Sequence, residues 1–362
     1  MTNLQNRVAY PLFIIALVGV SYVIYPISSL AAWFGFFVAA YSAIANDSIQ
    51  TIGTFISSNK QRPWWHLWVY LSMIFFCTVL YSWLYYNGDV SHERLISKGF
   101  EQSPSEFAYL QILSPIVLLV LTWAKMPVST TFLLLGAFAS TSTAIGKVMF
   151  KSLSGYFLAF GVALVTFSVL AKLSKKYFVG KPSTQWIIAQ WITSGLLWSV
   201  WLQQDLANVA VFLPRSLTWI EFSLFAGYII AGLGVLLYFK GGRIQEIVTE
   251  KSSVTDPRFV TLVDGVYAMI LYYFKIKSKI PMSTTWVFLG LLGGREVAML
   301  IRGTSKKHLS NTIFMIVKDA SKAIFGLLIS IYVATSVNSS VNITGIQSQI
   351  STQLRSMFYQ EK

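Results

Sequence analysis

Two carboxylates and two copies of a hydroxyl-rich motif are the residues of this chain that could do chemistry. Asp47 and Asp205 each lie within an apolar stretch long enough to cross a membrane. A carboxylate at that depth is costly unless a partner, a bound cation or a water-filled cavity accompanies it. The stretch Lys125-Met-Pro-Val-Ser-Thr-Thr-Phe-Leu-Leu-Leu-Gly136 returns as Lys279-Ile-Pro-Met-Ser-Thr-Thr-Trp-Val-Phe-Leu-Gly290, an offset of 154 residues. Asn46-Asp47 and Gln204-Asp205 match at an offset of 158. Two separate motifs at nearly equal offsets predict duplication of a whole structural unit.

The Pro-x-Ser-Thr-Thr motif suits the start of a half-helix. Proline is tolerated in a first turn, where its missing N–H costs nothing. The hydroxyls of Ser129, Thr130 and Thr131, and of Ser283, Thr284 and Thr285, would join the free N–H groups of that turn. Together they would make a neutral cradle for an anion at the positive end of the helix dipole. Two such turns facing each other near the bilayer midplane would replace the water around an oxyanion with fixed donors.

The elements that must position these residues are membrane helices. Of 362 residues, 55% are hydrophobic and only 12% charged, with a mean hydropathy of +0.60. A soluble domain carries about a quarter of its residues as charges. Apolar segments fall at roughly 8–27, 31–56, 64–86, 107–124 and 127–149, then 155–172, 183–214, 217–238, 259–275 and 281–301, with another near 312–336. The first reads as a membrane helix and not as a cleaved leader. The expected architecture is all-α: residues 1–154 form one transmembrane repeat of five crossings, 155–310 a second, and 311–362 an extra helix and tail. An odd number of crossings inserts the second copy upside down.

Loop charge agrees with that inversion. The loop at 87–106 carries Asp89, Glu93, Glu101 and Glu106 against Arg94 and Lys98. Its counterpart at 240–258 carries Lys240, Arg243, Lys251 and Arg258 against Glu246, Glu250 and Asp256. The positive-inside rule places the first outside and the second inside, with the basic clusters at 172–181 and 302–307. Lys147, Lys151, Lys275, Lys277 and Lys279 then fall outside, against the rule.

The net charge of +14 is dispersed in short clusters between apolar runs, which excludes a nucleic-acid surface. Cys77 is the only cysteine, and His66, His92 and His308 lie far apart, which argues against a disulfide or a zinc site. Trp64, Trp65, Trp68, Trp83, Tyr85 and Tyr86 read as interfacial belts. Arg295 and Glu296 lie too far beyond Thr285 to reach an anion there, and read as a structural pair. Asp264 and Glu221 are expected near helix ends. Lys125 and Lys279 flank the cradle in both copies, where they could attract anions or snorkel.

With these motifs in place, the chain resembles the inorganic phosphate transporter (PiT) family as a divergent member. That family carries Gly-Ala-Asn-Asp-Val-Ala-Asn-Ala and Pro-Val-Ser-Thr-Thr in each of two repeats. The first stands here as Ile44-Ala45-Asn46-Asp47-Ser48-Ile49-Gln50-Thr51 and as Leu202-Gln203-Gln204-Asp205-Leu206-Ala207-Asn208-Val209. The second is intact at Pro127 to Thr131, and at Pro281 to Thr285 with Met282 replacing valine. The resemblance spans roughly residues 30 to 300. It implies a secondary transporter with a central anion site lined by Asn46, Asp47, Asp205 and Asn208 beside the six hydroxyl residues, with sodium sites adjacent. Gln50 stands where the family has its second asparagine and Gln204 where it has its first. The coupling ion is thus open between sodium, at Asp47 and Asp205, and a proton.

Phosphate keeps a proton near neutral pH and can donate it to a carboxylate, whereas sulfate has none to give. The paired aspartates therefore favour phosphate, although some members of the family carry sulfate. The expectation is a symporter in the plasma (inner) membrane, not an enzyme, with no cofactor beyond the coupling ion, as a monomer or a homodimer. An uncoupled anion channel and a membrane-embedded aspartyl enzyme are the rival classes. No Gly-x-x-x-x-Gly-Lys-Ser/Thr loop is present to support nucleotide drive.

Overall fold

The computed structural model describes residues 3–96, 100, 102–124, 126, 128–178, 180–240, 256–277, 282–303 and 309–358. Lys125, Pro127, Lys279, Pro281, Lys306, Lys307 and most of the 240–258 loop lie outside the described residues. So do the side chains of Lys172, Lys175, Lys176, Lys275 and Lys277.

Every regular element among the described residues is helical. In hydrocarbon no water can satisfy backbone N–H and C=O groups, and a helix pairs them within one segment. The order is α1 (Asn3–Ile24), α2 (Ser28–Ala43), a π turn (Ile44–Ser48), α3 (Ile49–Ser58), α4 (Trp64–Tyr85) and α5 (Tyr109–Trp123). Then follow α6 (Thr130–Leu133), a 3₁₀ turn (Leu135–Phe138), α7 (Ser142–Tyr177), α8 (Thr184–Ala210) and α9 (Trp219–Tyr238). Last come α10 (Pro257–Lys277), α11 (Thr284–Ile301), α12 (Leu309–Val337) and α13 (Ile343–Phe358).

Six of these spans, among the described residues, are long and apolar enough to cross a membrane: 28–48, 64–85, 142–171, 219–238, 284–301 and 309–337. Large apolar side chains such as Val23, Phe157, Ile220 and Tyr332 are two-thirds or more exposed. On a protein in water such a belt would drive aggregation; on a bilayer protein it is the lipid face. The α11 window is 78% buried, whereas that of α7 is 22% buried. Thus α11 is a central helix and α7 a peripheral one.

Two glycines let those helices meet closely. A Cβ on Gly290 would lie 2.2 Å from the Tyr156 carbonyl oxygen, and one on Gly294 2.2 Å from that of Phe160. Small residues four apart bring helix backbones together, which is how membrane helices gain packing without a hydrophobic drive. Around this pair, α8 lies against α10, α2 against α5 and α4 against α9.

The expected segment boundaries change in three places. The crossings expected at 127–149 and 155–172 are instead a short hooked segment and one 36-residue helix, α7, which runs through residue 154. The cause is local. Ser140-Thr141-Ser142-Thr143 offers a cap, and the Thr141 hydroxyl accepts from the Ala144 N–H at 3.2 Å, so a new helix begins there. At the carboxyl end, α12 is followed by a second helix, α13, which packs on α7 through Ser142 and Gly146.

Aromatic residues sit at both ends of α4, as expected of belts. Trp64, Trp65 and Tyr85 are exposed there, while the Trp68 and Trp83 indoles donate to the Ile230 and Leu217 carbonyls. Glu221 caps the first turn of α9 with Thr218, again as expected. Asp264 is different: it lies eight residues into α10, fully buried, and not near a helix end.

Candidate functional site

The π turn sets the position of the first carboxylate. It interrupts the continuous run from α2 to α3, and single π turns locally widen a helix and re-aim its side chains. Asp47 stands in it, 1% exposed, with Ser48 and Thr51 returning their hydroxyls to the Ile44 and Asp47 carbonyls. Asp205 lies within α8, 3% exposed. The two carboxylates are close enough to repel each other.

Each carboxylate takes the hydroxyl of the first threonine of one motif. Thr130 Oγ1 donates to Asp47 Oδ2, and Thr284 Oγ1 donates to Asp205 Oδ2 at 2.5 Å. The second threonines cross over. Thr131 Oγ1 donates to the Met282 carbonyl at 3.2 Å, and Thr285 Oγ1 to the Val128 carbonyl at 3.4 Å. Val128 and Met282 occupy the same position in the two motifs, so the exchange is reciprocal. Residue i of one copy meets residue j of the other, and j meets i, which is the mark of a two-fold contact.

The serines are spent otherwise. Ser129 Oγ accepts from the Phe132 N–H at 3.2 Å, and Ser283 Oγ from the Trp286 N–H at 3.3 Å, so both are helix caps. The two turns are also unequal. The second heads an 18-residue helix, whereas the first heads a single turn of four residues. A dipole worth invoking therefore exists at Thr284 and not at Thr130, because its strength comes from aligned peptides over several turns.

The amides complete the centre. Asn46 Nδ2 donates to Asp47 Oδ1 and to the Val128 carbonyl, both at 2.7 Å. Gln50 Nε2 lies 3.3 Å from Asn46 Oδ1 and 3.5 Å from Asp47 Oδ1. Asn208 Nδ2 faces Asp205 Oδ1 at 3.0 Å, Thr130 Oγ1 at 2.9 Å and Thr131 Oγ1 at 3.1 Å. It has two protons for those three acceptors. Gln50 Oε1 and Asn208 Oδ1 are buried and accept no hydrogen bond. These two positions also correspond across the repeat. Buried amide oxygens without donors, beside a carboxylate, suit a small hard cation.

Gln204 departs from its counterpart. Asn46 donates to its own aspartate, but Gln204 Nε2 donates to the Leu271 carbonyl at 3.0 Å, and its Oε1 accepts from Arg94 Nη2. Arg94 comes from the loop after α4, is 3% exposed, and interacts electrostatically with Asp205. Burial lowers its guanidinium to about 10, opposed by Asp205, so it remains charged at neutral pH. From sequence alone Arg94 reads only as a loop charge, because nothing local marks its contact with Gln204.

A second polar cluster lies beside the first. Asp264 accepts from Thr54 Oγ1 at 2.8 Å and Ser194 Oγ at 2.5 Å, and the Gln190 amide donates to Ser58 one helical turn away. The Tyr267 hydroxyl, donating to the Thr284 carbonyl at 3.1 Å, links α10 to the central motif. Arg295 and Glu296 form the expected buried pair at 2.9 Å, apart from the centre. No group of three or more His, Cys, Asp and Glu side chains lies together among the described residues, so most oxygen donors at the centre are neutral.

The fold and this centre define the chain as a helical integral membrane protein with a buried polar core. No protein-family model, curated protein or solved structure matches it.

Proposed function

We propose that the protein is a secondary transporter of inorganic phosphate, coupled to a sodium or proton gradient, with the anion bound between the two Ser-Thr-Thr turns. One observation carries this reading: the reciprocal Thr131–Met282 and Thr285–Val128 bonds between two motif copies, each of which also holds a buried aspartate. The same exchange, with the opposite charge bias of the 87–106 and 240–258 loops, supports two inverted-topology repeats.

The chemistry follows from the donors. In the state described, the Thr130 and Thr284 hydroxyls are committed to carboxylates. A cation entering beside Asp47, where Gln50 has an oxygen to offer, takes over that negative charge. The hydroxyl protons are then free to turn towards an oxyanion, which Asp47 or Asp205 would otherwise repel. A protonated phosphate oxygen can return a hydrogen bond to a carboxylate. The loaded, charge-compensated site then changes its exposure from one side to the other while the scaffold of α7 and α11 holds.

Uptake of radiolabelled phosphate into proteoliposomes, under an inward sodium gradient and separately under a proton gradient, tests this. Gradient-dependent accumulation that excess sulfate does not suppress is the expected result. Passive equilibration without accumulation would identify an uncoupled channel, and no uptake under either gradient would overturn the reading.

A further inference from the structure

The two halves of the centre are chemically unequal, and the inequality has one cause. At Asp47 the side chains that donate to the carboxylate, Asn46, Gln50 and Thr130, are neutral. At Asp205 a fixed cation is present, because Arg94 donates to Gln204, its neighbour, and attracts the carboxylate itself. The substitution that breaks the repeat at this point, glutamine for asparagine at 204, is the one that reaches Arg94. The longer amide turns away from its aspartate and bridges Arg94 to the Leu271 carbonyl on α10.

The loop that delivers Arg94 is built to hold it there. Asp89 is 2% exposed, and its carboxylate accepts from the Ser91 N–H at 2.8 Å, the Ser91 hydroxyl at 2.7 Å and the Glu93 N–H at 2.6 Å. Ser82 Oγ donates to the Asp89 carbonyl at 2.7 Å and accepts from the His92 N–H at 3.0 Å. The Gly88 carbonyl accepts from the Leu217 N–H at 2.9 Å, tying the loop to the segment before α9. Val90 and Leu95 are buried on either side of this knot. His92 and Glu93 adopt left-handed backbone conformations, φ 55° and 58°, which only a fixed surrounding sustains in non-glycine residues.

We propose that Arg94 is a tethered counter-cation for Asp205, so that one mobile cation, taken up at Asp47, accompanies each anion in place of two. This rests on the transport reading above. A buried carboxylate must be compensated, and a covalently attached guanidinium does so without being released in each cycle. Arg94 is a positioning residue here: it acts on the anion through Asp205 and Gln204.

The test is the order of phosphate uptake in the driving cation, measured with the full chain in proteoliposomes. Wild type is expected to show first-order dependence on sodium or on protons, whichever drives it. Arg94→Lys, which keeps the charge, should stay first-order and active. Arg94→Gln should become second-order, or lose uptake that the lysine variant retains. Second-order dependence in wild type, an Arg94→Gln variant that remains first-order, or a lysine variant as inactive as the glutamine one overturns the proposal. Absence of any wild-type uptake overturns the transport reading instead.

Discussion

At the residue scale, the central hydroxyls have two separable roles that substitution can distinguish. Thr130 and Thr284 each give a charge-assisted hydrogen bond to a buried carboxylate, whereas Ser129 and Ser283 cap helices. Thr284→Val removes a donor from Asp205 without changing volume, and leaving a buried charge short of a donor costs about 1–3 kcal/mol. The expected outcome is a lower melting temperature in detergent and loss of phosphate uptake, with Thr284→Ser restoring both. Ser283→Ala should also lower the melting temperature, the lost cap costing about 1 kcal/mol of stability, while leaving measurable uptake. Equal loss of uptake in Ser283→Ala and Thr284→Val would show that capping alone matters here. The aspartates and threonines were legible from sequence because their side-chain types recur at one spacing. Arg94 and Asp264 were not. Each reaches its partners through tertiary contacts, Arg94 to Gln204 and Asp264 to Thr54 and Ser194, and nothing in local sequence marks such pairs.

At the element scale, the same motif heads a continuous helix in one half and a broken segment in the other. Hydropathy reports apolar runs and sees nothing of where a cap restarts a helix. It therefore placed a boundary near residue 154, where Lys151, Ser152, Ser154 and Gly155 lower the local signal. The tertiary structure passes through that point because α7 packs along α11, with Gly290 and Gly294 against its backbone. This predicts a sharp contrast between glycines. Gly290→Ala places a methyl group where the Tyr156 carbonyl now sits, so the helices must separate, and overpacking of this kind costs about 1–3 kcal/mol. Gly161→Ala, on α7 with nothing within 4 Å of the added carbon, should be neutral or slightly stabilising, since alanine is the better helix former. Thermal unfolding of the two variants in one detergent measures the difference. A Gly290→Ala variant as stable as Gly161→Ala would mean that the close α7–α11 approach contributes nothing.

At the scale of the whole molecule, the question is how two halves of one chain come to face each other across a buried centre. Two copies inserted in the same orientation would be related by an axis along the membrane normal, and two inverted copies by an axis in the membrane plane. The reciprocal bonds between Val128–Thr131 and Met282–Thr285 fit a local two-fold relation and do not choose between these axes. Under the inverted arrangement proposed above, loop charge is expected to put the α4–α5 loop outside and the α9–α10 loop inside. The single native cysteine makes this measurable. Cys77 is exposed on α4, so Cys77→Ser gives a cysteine-free background with no disulfide to lose. Ser105→Cys lies in the exposed part of the first loop and Lys240→Cys at the exposed end of α9. In intact cells, a membrane-impermeant maleimide should label Ser105→Cys and spare Lys240→Cys until the membrane is opened. Labelling of both from the same side would set the halves parallel and remove the structural basis for alternating access about the central aspartates.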